Sequence, residues 1–140
     1  MRRQWAAFDA AGKLTAMKKT SLLKATIGID LGDRKHAVCV LDAGGKIVKE
    51  LTITNTRESL AKLVSGLPES LVAIEVGSHS PWISRFLDEL GCEVVVANSR
   101  KMRAIYQNER KSDELDARML AKLARADASL LHPIEQACSF

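Results

Sequence analysis

Four acids, Asp30, Glu75, Asp113 and Asp116, could do chemistry together in this chain. Carboxylates unaccompanied by Cys or His are the hard oxygen donors with which proteins hold Mg²⁺, and a pair of such ions is a common arrangement for phosphodiester chemistry. The expected cofactor is therefore Mg²⁺, with Mn²⁺ as the alternative ion. The three cysteines, Cys39, Cys92 and Cys138, are odd in number and widely spaced, which fits a reducing compartment better than a zinc site or a disulfide framework.

Each acid also has a plainer reading. Asp30 sits within the apolar stretch Ala25-Thr26-Ile27-Gly28-Ile29-Asp30-Leu31-Gly32, where period-two alternation puts Ile27, Ile29 and Leu31 on one face. Gly28 and Gly32 flank Asp30 on the other face. They leave room for a metal or a phosphate backbone, or else serve the chain's own geometry beside a solvated turn acid. Glu75 closes the continuous apolar run Leu71-Val72-Ala73-Ile74-Glu75-Val76, the pattern of a parallel strand buried on both faces. It falls at a strand's carboxyl end, where open α/β sheets gather ligands; its plainer role is to cap the helix that Ser80-Pro81 opens, with Ser80 as N-cap.

Asp113 and Asp116 belong to a predicted helix over 112–127 with Ser112 at its N-cap. At about 100° per residue both aspartates fall within the apolar arc of Leu115, Met119, Leu120 and Leu123, a costly place for an acid without a partner or a metal. Attraction to the helix dipole explains Asp113 but not Asp116. Arg118, Lys122 and Arg125 gather on the opposite side, roughly 180–240° from Asp116. They are expected to touch nucleic-acid phosphate away from the acids, or to be a solvated face. His79 reads as an ordinary loop residue, and Trp82 and Phe86, four apart, as core.

The elements that must position these groups read as strands at 26–32, 36–42 and 46–54, a helix at 57–66, a strand at 71–76, a helix at 81–90, a strand at 92–97, and helical segments at 99–108 and 112–127. Gly44-Gly45 supplies a hairpin turn, and Leu67-Pro68 and Gly91 end helices. A three-stranded meander followed by alternating helices and strands is the order of an α/β, RNase H-like (RuvC-like) fold. The 140 residues, 46% hydrophobic, suffice for one domain with a real core. The formal net charge of +4 is modest, with basic residues clustered in the leader and over 100–125. No segment approaches the roughly 18–20 apolar residues of a membrane span, so a cytoplasmic protein without a membrane partner is expected. Residues 1–24 read as a basic extension without a fold of its own, 25–133 as the domain, and 134–140 as a truncated tail. Met17-Lys18-Lys19-Thr20 resembles a bacterial start, which would make residues 1–16 an upstream extension.

Gly28-Ile29-Asp30-Leu31-Gly32, Lys35-His36, Ala73-Ile74-Glu75, Lys111-Ser112-Asp113-Glu114-Leu115-Asp116-Ala117-Arg118-Met119-Leu120-Ala121 and Leu131-His132-Pro133 together resemble the N-terminal RuvC-like domain of insertion-sequence-110 transposases, the DEDD recombinases. The resemblance implies that the family's four acids fall on Asp30, Glu75, Asp113 and Asp116, coordinate Mg²⁺, and cut and join DNA in transposition of an insertion sequence. It implies DNA as partner, a structured guide RNA, and a homo-oligomer in the full-length family. It also implies a second, serine-bearing domain beyond these 140 residues. The expectation is a truncated copy, inactive alone. Two alternatives stand beside it: a catalytically silent nucleic-acid-binding or dimerisation module, and the phosphate loop of an actin-like ATPase or sugar kinase. The second is weakened by Asp33-Arg34-Lys35 where a hydroxyl-rich hairpin is needed.

Overall fold

The computed structural model describes residues 24–67, 69–106 and 115–135. β1 (Thr26–Asp30), β2 (Lys35–Leu41) and β3 (Ile47–Thr54) form the expected meander, turned between β2 and β3 by Gly45 at φ 91°. Asp42 Oδ1 accepts from the amides of Gly44 and Lys46, both at 2.9 Å, and so fixes that turn. After α1 (Arg57–Ser65), capped by Thr56, come β4 (Leu71–Glu75), α2 (Ser80–Glu89), β5 (Glu93–Ala97), α3 (Ser99–Tyr106) and α4 (Ala117–Asp127). Gly91, at φ 96°, ends α2 as expected of a glycine just past a helix.

The sheet order is β3-β2-β1-β4-β5, antiparallel on the β3 side and parallel from β1 through β4 to β5. This is the mixed α/β sheet that the element order predicts. Alternation sorts the side chains into two layers. Ile27, Ile29, Val38, Val40, Val72 and Ile74 pack against Leu60 and Val64 of α1 and Ile83 and Leu87 of α2. On the opposite face Cys39, Leu41, Ala73, Val95 and Ala97 meet α4 through Ala117, Leu120, Ala121 and Ala124. A short 3₁₀ turn, Ala128–Leu131, follows α4, and Ile134 then bridges to Val96 along the β5 edge.

Two local expectations change. β1 stops at Asp30, because Gly32 is drawn into the turn: a Cβ there would lie 2.3 Å from the Lys35 carbonyl. Ser80 is already inside α2 and His79 holds the N-cap position without a side-chain capping bond. The Ser80 hydroxyl instead donates to the Gly77 carbonyl at 2.8 Å.

Candidate functional site

Asp30 and Glu75 end two neighbouring parallel strands. Since Ile29 pairs with Ile74, the next positions along both strands are Asp30 and Glu75, and both side chains stand on the α4 face. Strands in a sheet lie about 4.8 Å apart. Both acids are half-buried and line one cavity of about 220 Å³ together with Gly32, Asp33, Gly77 and His79. The amide of Gly77 donates to Ser80 Oγ at 3.0 Å and that of Val76 to the Ala97 carbonyl at 3.0 Å. These amides of the turn after Glu75 are thus satisfied without its carboxylate.

Asp116 reaches this region differently from the prediction. It does not lie within the apolar arc of a helix: it is the N-cap of α4, extended at φ −78° and ψ 172°, and exposed. Its Oδ1 accepts from the Met119 amide at 2.7 Å. Capping satisfies an otherwise orphaned amide and favours a negative charge at the helix N-terminus, which accounts for an acid here in ordinary structural terms. Asp116 lines a second, more open cavity of about 520 Å³ with Asp30, Glu50, Thr52 and Arg118. Asp30 is thus the shared wall, facing Glu75 on one side and Asp116 on the other. Asp113 and the predicted cap Ser112 lie outside the described residues. Among the described residues, no group of three or more His, Cys, Asp or Glu side chains is gathered closely enough to hold a metal ion. The donor set nonetheless fits a hard divalent cation: two half-buried carboxylates on adjacent strand ends supply oxygens alone, the ligand type such an ion takes.

The glycines beside Asp30 serve the chain's own packing. A Cβ on Gly28 would lie 2.1 Å from the Ala117 carbonyl and 2.7 Å from the Ala121 amide, so this position lets the α4 backbone approach the sheet. The opening read as room for a metal or a phosphate is filled by a helix.

The basic stripe is also redistributed. Arg118 lines the Asp30–Asp116 cavity, contrary to its predicted separation from the acids, and its Nη2 donates to both Glu50 oxygens at 3.1 and 2.8 Å. Arg125 donates twice to the Ala43 carbonyl, at 3.2 and 2.9 Å, and lies over Gly45. Both arginines tie α4 to β3 and the β2–β3 turn, while Lys122 is exposed on the same helix.

Three residues near the site escaped sequence reasoning. Glu50 enters through the pairing of β2 with β3, where it lies opposite Cys39. His36 and Asn55 form a latch on the loop after Asp30. Fully buried, His36 accepts from the Gly32 amide through Nδ1 at 3.1 Å and faces Asn55 Oδ1 with Nε2 at 3.0 Å. Asn55 Nδ2 donates to the Asp33 carbonyl at 2.9 Å. Burial holds the His36 pKa below its ordinary value, the Asn55 bond opposes that shift, and the nearby His79 adds to it. The alternation of β2 with a buried position at 36 was the available signal. Burial, reinforced by Glu50, pushes the Cys39 thiol up, so this cysteine beneath α4 is an inert core group and not a thiolate nucleophile.

A meander, a parallel half-sheet and strand-end carboxylates define an α/β domain of RNase H-like order. The sequence profile of the DEDD_Tnp_IS110 family, described as transposase, matches residues 27–139, and the chain belongs to that family. No curated protein matches the chain. Among the described residues no helix is long and apolar enough to cross a membrane.

Proposed function

We propose that this chain is the metal-binding, nuclease-like domain of a transposase, acting on the phosphodiester backbone of DNA. The carrying observation is the placement of Asp30 and Glu75 at the carboxyl ends of adjacent parallel strands, on one face and around one cavity. Mg²⁺, or Mn²⁺ in its place, would be held by Asp30 and Glu75, with Asp116 through the oxygen not engaged in capping and Asp113 as the fourth acid. When bound, such an ion polarises a phosphoryl oxygen and lowers the pKa of the attacking hydroxyl or water. The protein's own contribution is positioning. The His36–Asn55 latch fixes the loop after Asp30, and Gly28 seats α4 so that Asp116 comes to the same end of the sheet. Guide RNA and self-association belong to the same reading as properties of the full-length family.

The decisive experiment is paramagnetic. Mn²⁺ should broaden the backbone amide resonances of Ile29, Asp30, Ile74 and Glu75 ahead of other exposed acids, and Asp30→Asn should abolish that selectivity. Equal broadening in the wild type and the variant would sink the metal assignment. The capping role of Asp116 supports a second reading, a silent binding module. That reading is favoured if DNA binding persists at full affinity without any divalent response.

A further inference from the structure

His79 occupies the N-cap position of α2 but makes no capping bond, so helix capping does not explain where its ring points. The ring instead lines the cavity of Asp30 and Glu75. Trp82 holds it there: the indole Nε1–H donates to His79 Nδ1 at 3.1 Å, with the rings edge to face at 6.4 Å and 86°. Trp82 is itself fixed, tilted against Phe86 and covered by the Arg57 guanidinium 5.0 Å from its ring centroid. An indole nitrogen can only donate, so Nδ1 must present its lone pair, and the neutral imidazole carries its hydrogen on Nε2. That nitrogen lies 3.5 Å from Asp33 Oδ1, longer than a good hydrogen bond, and the Asp33 side chain is 92% exposed and able to swing away. In a cavity walled by carboxylates, His79 therefore offers an N–H donor whose ring is held by the Trp82 indole.

We propose that His79 Nε2–H donates to a non-bridging oxygen of the phosphodiester bound in this cavity, with Trp82 as the positioning residue that sets the tautomer. The inference rests on the functional reading above. Phosphate oxygens accept such bonds readily, and a neutral N–H donor among the carboxylates of Asp30, Asp33 and Glu75 orients the phosphate without adding negative charge to the cavity. The loose 3.5 Å approach of the exposed Asp33 carboxylate leaves the donor available to the phosphate.

The test uses the full chain with ¹⁵N-labelled histidine. Two-bond ¹H–¹⁵N spectra should show His79 as the Nε2–H tautomer near neutral pH. A single-stranded DNA oligonucleotide in Mg²⁺ buffer should then shift Nε2 while leaving Nδ1 acceptor-like. His79→Phe should weaken oligonucleotide binding roughly tenfold, the worth of one hydrogen bond to a charged group. His79→Gln, which keeps an N–H donor, should recover part of that loss. Trp82→Phe keeps the packing and removes the indole donor; it should mix the two tautomers and give intermediate affinity, so the proposal remains testable even if His79→Phe folds poorly. An Nδ1–H tautomer in the wild type, or unchanged affinity in both His79→Phe and Trp82→Phe, overturns the proposal. So does a Nε2 shift produced by inorganic phosphate but not by the oligonucleotide. Mn²⁺ broadening at Ile29 and Ile74 separates the two levels: its loss in the wild type refutes the metal reading, while its persistence with a His79-independent affinity refutes this inference alone.

Discussion

Asp116 is asked to cap a helix and, in the proposed function, to contribute to a cation site, and the two tasks place different demands on its side chain. Capping needs an acceptor oxygen of the right reach, which Asn supplies; a cation site needs the negative charge. Asp116→Ala should therefore lower stability by about 1 kcal/mol, measured by denaturant titration. Asp116→Asn should preserve stability without divalent ions yet reduce the rise in melting temperature on adding Mg²⁺. A full Mg²⁺ response in the Asn variant would leave Asp116 as a cap and nothing more. His36 gives a pH prediction whose sign follows from burial. Its folded pKa is lowered, so the unfolded chain binds more protons as pH falls through the ordinary value of 6.5. The stability it contributes is complete above that pH and is lost progressively below it, toward the folded value. Melting curves between neutral pH and mildly acidic pH should show this decline, and His36→Gln should remove its share of it. A wild-type slope identical to that of the variant would count against the buried neutral imidazole.

At the level of elements, the seating of α4 on the sheet decides whether the acids share a region at all. Gly28 is the contact point, with the Ala117 carbonyl where a methyl group would stand. Gly28→Ala should cost at least about 1–3 kcal/mol, as overpacking does, because the obstacle is backbone and not a movable side-chain end. It should also weaken any effect of Asp116 on cation binding by lifting the N-terminus of α4 away from Asp30. Stability unchanged within error would mean that α4 is not packed this closely. The Arg118–Glu50 pair on the same helix is a lesser fixture. Both side chains are about half exposed, so Arg118→Ala should change stability by less than about 1 kcal/mol in an equilibrium denaturation experiment.

Across the whole molecule the positive excess is small, and α4 spends two of its three outward cations on its own fold. Arg118 is held by Glu50 and Arg125 by the Ala43 carbonyl. This leaves Lys122 as the member of the predicted stripe best placed to meet a polyanion. Phosphate contacts carry little sequence information and release counterions. Lys122→Ala should thus weaken binding to DNA and RNA of any sequence alike. The slope of log affinity against log salt should become shallower by about 0.7–0.9, measurable by fluorescence anisotropy. An unaltered slope would make the stripe a solvated face.

Alternation at 27–30, the apolar run at 71–75 and the Gly44-Gly45 and Gly91 turns were enough, taken as sequence, to determine the order of elements along the chain, the α/β class and the placement of Glu75 at a strand end; the order of strands in the sheet, its two packed layers and the end of β1 at Asp30 were decided by the tertiary structure. The features legible in sequence depend on local periodicity and on conformations that few residues adopt, so each is written in a short window of the chain. The N-terminal residues of α4 were not legible in this way. Asp113 through Asp116 fit a helical period by composition, but in the structure α4 begins one residue after Asp116, which caps it, and the first turn of the helix lies against Gly28 of β1. Tertiary contact likewise decided which partners the charged groups would find. Glu50 meets Arg118 across 68 positions of sequence and Ala43 meets Arg125 across 82, separations over which no periodicity carries information. His79 is a different case: its partner Trp82 is only three residues on, but the cavity its ring lines, with Asp30 and Glu75 from two other strands, exists only in the folded sheet.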